Sequence, residues 1–268
     1  MEPTIALTKT RGSLESTAGR VADVLRSLSD SSAPIPNSEW TVREAAAHLT
    51  TMMAGYVEIA TGTPGPIADF APDTVAERNN QYIADIAESD PGKLAALVIE
   101  ATSRFVEVTA GRPGEQELTY LITGIRIDLA SLAGILLGET LLHGYDIARA
   151  TAHPWPIDPA DATLVLRGYA PIYGMVVNPE TSRGHTATYK VQLRDGPCFI
   201  VRFVNGEYRL EPSRASAVDC VISADPVAYL MVSTGRLGPW EAIALGLIEA
   251  TGTRPELALR FNDLFSYP

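Results

Sequence analysis

The sequence predicts an α+β protein of two domains, a helical bundle over residues 1–155 and an antiparallel sheet with helices over residues 156–268. Three observations lead to this prediction. Apolar residues recur at helical spacing through about the first 150 residues, the proline-rich segment 152–161 interrupts that pattern, and the period changes to two from residue 185. With 46% hydrophobic residues, the 268-residue chain can build a substantial core.

The first two helices of the bundle follow from apolar spacing and from one capping signal. Apolar residues recur on one helical face between Leu14 and Leu28, which is typical of an amphipathic helix. The second helix begins where Thr41 and Glu44 form the T-x-x-E capping box, with Trp40 just before it in the position of a hydrophobic staple. We therefore expect this helix to start at a defined residue.

Two further helices complete the predicted bundle. One begins at Asp90, a favourable N-cap that is followed by proline at the preferred first position, and the other runs from about residue 128 to 151. Segments 60–73 and 111–124 are predicted loops, the second with a short extended piece. Four helices joined by loops favour a bundle.

The second half is predicted to be an α+β domain. One helix is expected near residues 160–174, and alternating residues over 185–211 then predict three strands. Turns are expected at Asp195-Gly196 and Asn205-Gly206, and Asn-Gly is a strong hairpin signal. A further strand is predicted at 219–225, and two or three helices then close the chain, around 226–234, 238–250 and 255–265.

Charge and composition narrow the range of partners. The formal net charge of −11 repels nucleic-acid phosphates and anionic lipid. The N-terminus lacks the apolar segment of a signal peptide, and the longest apolar run, residues 129–138, is too short to cross a bilayer. Cys198 and Cys220 lie in strand-like sequence and are expected to be reduced core residues. We therefore expect a cytoplasmic protein with no nucleic-acid partner and no membrane partner.

The strongest chemical signal is a Glu-x-x-x-His pair in the fourth predicted helix. Glu139 and His143 lie in "GETLLHGYDIARA" and share one helical face, on which Asp146 falls as well. The surrounding residues are leucine and isoleucine, so the carboxylate and imidazole are expected to be buried. Burial of such groups is costly unless they compensate each other, or unless a distant partner or a metal ion compensates them.

A metal ion would need a third ligand from another part of the chain. Of the four histidines, His48 lies in the second helix, among alanines that let a neighbouring helix approach. His48, Glu139 and His143 would leave one tetrahedral position free, which is the pattern of catalytic zinc sites. Asp146 could then accept a hydrogen bond from the far nitrogen of a ligand histidine. The same spacing is common in solvated pairs, so the residues alone leave both interpretations open.

Two motifs resemble those of the mycothiol-dependent maleylpyruvate isomerase family. "WTVREAAAHLTTM" is similar to the family's N-terminal motif, in which a tryptophan precedes the helix with a metal-binding histidine. "GETLLHGYDIARA" is similar to the motif that supplies the other two ligands and a following aspartate. The resemblance covers about residues 10–155. It implies a DinB-like four-helix bundle with a divalent metal, most often zinc, held by His48, Glu139 and His143, with Asp146 nearby.

The second half resembles a sterol-carrier-protein-2-like domain, which accompanies the bundle in this family. The similarity lies in "RDGPCFIVRFVNGEYRL" and then in residues 224–252, while residues 244–261 match the pattern more loosely than the hairpins do. It implies that this half helps to form the active-site cleft and contributes a catalytic arginine. Arg236 is our choice, with Arg214 and Arg254 as alternatives.

The resemblance implies thiol chemistry. Mycothiol, a cysteine-derived sugar thiol, would be the cosubstrate, and zinc would ionise its thiol. The thiolate would add to an electrophilic double bond of a small molecule, the new single bond would rotate, and the thiol would leave. Retention of the adduct would give S-transfer instead. Arg236 would stabilise the negative charge that develops on the substrate.

Two other functions remain open. The C-terminal half has apolar segments that would suit a lipid or acyl carrier, with the bundle as scaffold, although a carrier needs no metal ligands. A metal-dependent hydrolase would use zinc-bound water at the open position, with Glu44 or Asp146 as the general base.

Overall fold

The computed structural model describes residues 3–63, 75–119, 125–211 and 217–266, and it divides into two compact units, 1–157 and 158–268. The first unit is helical with one small strand pair, and the second contains a five-stranded sheet with helices. The predicted α+β class is therefore confirmed. The assignment of 1–155 and 156–268 to DinB-like and sterol-carrier-like domains stays a prediction.

Four long helices build the first unit. Helix α1 packs against α4 and α5, and α2 packs against the same two helices, so α1 and α2 lie on one diagonal of a four-helix bundle. The shorter α3 packs on α2. The bounds are α1 Pro3–Arg26, α2 Val42–Thr61, α3 Val75–Asp85, α4 Pro91–Thr109, α5 Leu129–Ala150, β1 Glu117–Thr119 and β2 Arg126–Asp128.

The predicted helix starts at Thr41 and Asp90 are confirmed. The Thr41 hydroxyl accepts from the Glu44 N–H, and a Glu44 carboxylate oxygen accepts from the Thr41 N–H at 2.7 Å, which completes the capping box. Asp90 accepts from the Lys93 N–H at 2.8 Å. These local bonds satisfy amide groups that the first turn leaves unpaired.

The predicted loops are only partly within the described residues. Helix α2 continues to Thr61, and 64–74 lie outside the described residues. The extended piece expected within 111–124 is confirmed as β1, which pairs antiparallel with β2, while 120–124 lie outside the description. Helix α3, between the second and third predicted helices, was not predicted.

The segment that follows the bundle is fastened to α5. Trp155 donates its indole N–H to the Leu141 carbonyl at 3.1 Å, and the Arg20 guanidinium carbon lies 4.0 Å from the centre of its ring. The indole fits because residue 144 is glycine: a Cβ there would lie 2.3 Å from Trp155 Cζ2. Gly144 therefore permits close packing one residue after His143.

The second unit is built on a mixed sheet. Its elements are α6 Pro159–Tyr169, a 3₁₀ segment Ala170–Val176, β3 Ala187–Leu193, β4 Cys198–Val204, β5 Glu207–Glu211, β6 Cys220–Ala224, α7 Pro226–Ser233, α8 Pro239–Ala244, β7 Ile248–Gly252 and α9 Ala258–Phe261. The strand order is β5-β4-β3-β6-β7. The three strands predicted over 185–211 and the strand at 219–225 are confirmed.

Two predictions for this unit are wrong. The sheet is not wholly antiparallel, because β6 pairs parallel to β3 after the chain passes from one edge of the hairpin strands to the other side of β3. The helix predicted over 238–250 ends at Ala244. Gly246 takes a left-handed φ of 66°, and 248–252 then pair with β6 as an edge strand. The open edge of β6 overrides the local helical pattern.

The other helices of this unit are shorter than predicted. The helix expected near 160–174 becomes 3₁₀ after Tyr169, and the region 255–265 is a short helix between two 3₁₀ turns. Cys220 is buried, Cys198 is half-buried, and both are free thiols. Among the helices of the described ranges, none combines the length and the apolarity that crossing a membrane requires.

Replacement of Gly144 by alanine should destabilise the first unit by about 1–3 kcal/mol, because the new methyl group displaces the Trp155 indole. Gly12 in α1 provides a matched control, since a Cβ there meets nothing within 4 Å and alanine should stabilise the helix by about 0.5–1 kcal/mol. Urea denaturation measures both values. Equal stabilisation by both alanines would contradict the packing argument.

Candidate metal centre

Helices α2 and α5 bring together the three side chains that the sequence selects as ligands. His48 lies in the second turn of α2, and Glu139 and His143 lie one turn apart on α5. Their donor atoms all lie within 4.8 Å of one another, in a group of the size and composition that can hold a metal ion. Helix α2 thus supplies one donor, and α5 supplies two.

The distances between the donors fit a shared ion better than direct hydrogen bonds. Glu139 Oε2 lies 3.5 Å from His48 Nε2 and 3.4 Å from His143 Nε2. Direct N–H···O bonds are usually about 2.7–3.2 Å long. Two donors each about 2.0–2.2 Å from a tetrahedral zinc ion would lie about 3.3–3.6 Å apart. The residues therefore fit a small divalent ion between them.

The site is buried on one side and open to solvent on the other. His48 is 3% exposed, whereas the side chains of Glu139 and His143 are 25% and 19% exposed. Alanines 45–47 on α2 are buried next to His48, and their small side chains allow close packing of the neighbouring helices. A fourth ligand would therefore approach from the side of α5.

The three groups change one another's protonation. Burial alone would raise the pKa of the Glu139 carboxyl, but the imidazoles of His143 and His48 hold that pKa well below its ordinary value. Burial lowers the pKa of His48. Burial also acts to lower the pKa of His143, but the carboxylates of Asp146 and Glu139 raise it overall. At neutral pH the carboxylate is ionised and His48 is neutral, which are the forms that bind metals.

Asp146 faces the far side of the His143 ring. Its Oδ2 lies 3.6 Å from His143 Nδ1, while His143 Nε2 points towards Glu139. The distance is slightly longer than a hydrogen bond, but the negative charge of the Asp146 carboxylate favours the His143 tautomer with hydrogen on Nδ1. The Nε2 lone pair would then be available to an ion.

Sequence reasoning missed one contact, that of Trp40. Its ring lies 4.7 Å from the His48 ring and 5.7 Å from the His143 ring, measured between centroids. The sequence placed Trp40 next to the capped end of α2 and assigned it only a staple role. Its position eight residues before His48 was the available signal, but the ring contacts depend on tertiary packing.

The remaining sequence-selected residues lie elsewhere or have other contacts. Glu44 is engaged in the capping box, where one carboxylate oxygen accepts from both the N–H and the hydroxyl of Thr41. Arg236 belongs to the second unit, in the turn after α7, and donates to the Thr234 carbonyl at 3.2 Å. Arg254 lies 3.8 Å from Glu256, and Arg214 lies outside the described residues. The catalytic role of Arg236 stays a prediction.

Comparison with known proteins gives one family and one fold. Residues 14–148, half of the chain, match the family described as "Mycothiol maleylpyruvate isomerase N-terminal domain". A crystal structure of the mycothiol-dependent maleylpyruvate isomerase is similar, with a TM-score of 0.55, 14% identity, and coverage of 91% of this chain and 92% of that chain. A histidine-to-alanine mutant of that isomerase gives a TM-score of 0.56 at the same identity and coverage. No curated protein matches the sequence. At this identity the structural likeness concerns the fold.

Proposed function

The chain belongs to the mycothiol maleylpyruvate isomerase N-terminal domain family, and from that membership we propose that it is a metal-dependent enzyme that activates a small thiol, mycothiol, for addition to an electrophilic small molecule. The observation that carries the proposal is the position of Glu139 Oε2, which lies 3.5 Å from His48 Nε2 and 3.4 Å from His143 Nε2, with the three donor groups all within 4.8 Å of one another. Zinc is the proposed ion because two imidazoles and one carboxylate are ligands that it accepts readily.

Each side chain of the site has a role in this proposal. His48, Glu139 and His143 would hold the ion, and Asp146 would keep the His143 tautomer that presents Nε2. When bound, a divalent metal supplies the acidity that converts a thiol into a thiolate at neutral pH. The donor set contributes one negative charge, from Glu139. With a divalent ion held by these residues, the centre would keep a net positive charge and would favour the binding of an anionic sulfur.

The hydrolase alternative is less well supported. Hydrolysis would need a carboxylate placed as a general base near the open position. Glu44 is occupied by the cap of α2, and Asp146 faces the Nδ1 side of His143, away from the nitrogen that points into the site. Thiol activation needs no such base, since the metal itself favours loss of the thiol proton.

The electrophile stays unassigned. Cis–trans isomerisation and S-transfer share the addition step and differ only in whether the thiol leaves again. At 14% identity, the likeness to the isomerase supports the fold and not a particular substrate. Maleylpyruvate, which the description of the family names, is the first substrate to test.

The purified protein should contain about one zinc per chain, and both His48→Ala and His143→Ala should lose it while the helices remain folded. Metal content is measured by mass spectrometry and folding by circular dichroism. Ultraviolet titration of mycothiol should give a lowered thiol pKa only with the metal-loaded wild type. Zinc retained by both variants, or a thiol pKa that is the same with and without metal, would contradict the proposal.

Arg236 is the proposed cation that stabilises negative charge developing on the substrate. If so, Arg236→Ala should lower kcat/KM for maleylpyruvate by about 10²-fold with unchanged zinc content. Arg209, which is exposed and pairs with Glu207, serves as the control arginine. Unchanged turnover in Arg236→Ala would show that another arginine acts, and Arg254→Ala is the next variant to compare.

A second candidate function, ligand carriage, is favoured by an apolar cavity inside the second unit. The cavity has a volume of about 540 Å³, within the usual range for small-molecule sites, and aromatic and aliphatic side chains dominate its lining. Tyr208 is one of the lining residues, and its hydroxyl is buried without a hydrogen-bond partner among the described residues. Burial also raises the pKa of Tyr208, so this hydroxyl is a neutral donor.

The lining favours a neutral ligand. The charged lining residues within the described ranges, Glu249 and Glu256, lie 3.7 Å from Arg194 and 3.8 Å from Arg254. The described lining itself includes no cationic side chain, so a fatty acid or another carboxylate would gain no ion pair inside the apolar cavity. An apolar molecule with one acceptor oxygen, such as a ketone, would satisfy the Tyr208 hydroxyl.

A neutral, environment-sensitive naphthyl ketone should bind the protein with enhanced fluorescence, whereas a fatty acid of similar size should not displace it. Tyr208→Phe should weaken binding about tenfold and leave the unliganded protein at least as stable, because an unpaired buried hydroxyl is removed. His143→Ala, in the other unit, is the control and should bind normally. Equal affinity of Tyr208→Phe and wild type would remove the support for a specific site.

A further inference from the structure

We infer that Trp40 is a positioning residue of the metal centre, which holds the His48 imidazole so that Nε2 faces the other two donors. The inference rests on the proposed function, since it concerns the metal that His48, Glu139 and His143 would bind. It starts from a difference between the two histidines.

The two imidazoles are oriented by different means. His143 has Asp146 opposite its Nδ1, which is the usual arrangement for a metal-binding histidine. His48 Nδ1 is buried and has no hydrogen-bond partner among the described residues. His48 Nδ1 therefore has no polar partner among the described residues to orient its ring, whereas His143 Nδ1 faces the Asp146 carboxylate.

Packing against Trp40 orients the His48 ring instead. The indole lies 4.7 Å from the His48 ring at an interplanar angle of 44°, and the two histidine rings meet edge to face at 4.9 Å. Trp40 also contacts His143 at 5.7 Å, so the three rings form one cluster. Rotation of the His48 ring would drive it against the indole or against His143. Close packing of aromatic rings favours one arrangement over others.

Trp40 is itself held by three hydrogen bonds that do not involve the metal ligands. Its carbonyl accepts from the Ile35 N–H at 2.8 Å, and its N–H donates to the Ser38 hydroxyl at 3.1 Å. Its indole N–H donates to Asn80 Oδ1 on α3 at 3.3 Å. The turn before α2 and the helix α3 therefore hold Trp40 from two directions, through groups other than the metal ligands.

The test uses the full-length protein with Zn²⁺ and Co²⁺ as probes. Metal affinity is measured by competition with a chromophoric chelator, and the Co²⁺ absorption spectrum reports the ligand geometry. Trp40→Ala should weaken affinity for both ions by about tenfold or more and change the Co²⁺ spectrum. Trp40→Phe, which keeps an aromatic ring, should restore most of the affinity. Asn80→Ala should give a smaller loss in the same direction.

Trp155→Phe is the matched control, because Trp155 also packs on α5 but its contacts there are with the Leu141 carbonyl and Gly144, whereas Trp40 contacts the rings of both histidines. Its metal affinity should equal that of the wild type. Wild-type affinity and spectrum in Trp40→Ala would overturn the inference while leaving the metal site itself intact. If Trp40→Ala does not fold, Trp40→Leu, without an aromatic ring, takes its place in the comparison with Trp40→Phe. A wild-type protein that binds neither ion would overturn the proposed function and this inference with it.

Discussion

A carboxylate placed between two imidazoles at the junction of α2 and α5 is the constraint on which the first unit depends. Burial of Glu139 and His48 in an apolar bundle would be costly if either lacked compensation. The two helices must therefore approach closely and at one rotation. The small side chains of residues 45–47 permit the approach, and the capped start of α2 fixes the turn of the helix on which His48 lies.

The two units offer different chemistry. The first brings three possible metal ligands together at a place where one side is open to solvent. The second contains a cavity with a mostly apolar lining that includes Tyr208, whose hydroxyl is buried. A charged thiol or an anionic electrophile suits the first environment, and a neutral apolar molecule suits the second. The two candidate functions therefore make separate demands on ligand charge and can be tested independently.

The sequence predicted well the features whose cause is local. The capping box at Thr41 depends on bonds within one turn, and the shared face of Glu139 and His143 depends only on helical spacing. Prediction from the sequence failed where the local structure depends on residues that are distant in the chain. Residues 248–252 form a strand because the edge of β6 is available to them, although their local pattern continues a helix. The contact of Trp40 with both histidines likewise depends on the packing of α2 and α5.

The interval between Trp40 and His48 has a consequence for how such sequences can diverge. Each residue inserted between them would rotate His48 by about 100° around α2 and carry its ring away from the indole. Substitutions on the outer face of the helix have no such effect. Lineages can therefore exchange most side chains and still keep the eight-residue step from Trp40 to His48 and the four-residue step from Glu139 to His143. The lengths of these two steps are therefore fixed by the geometry of the site.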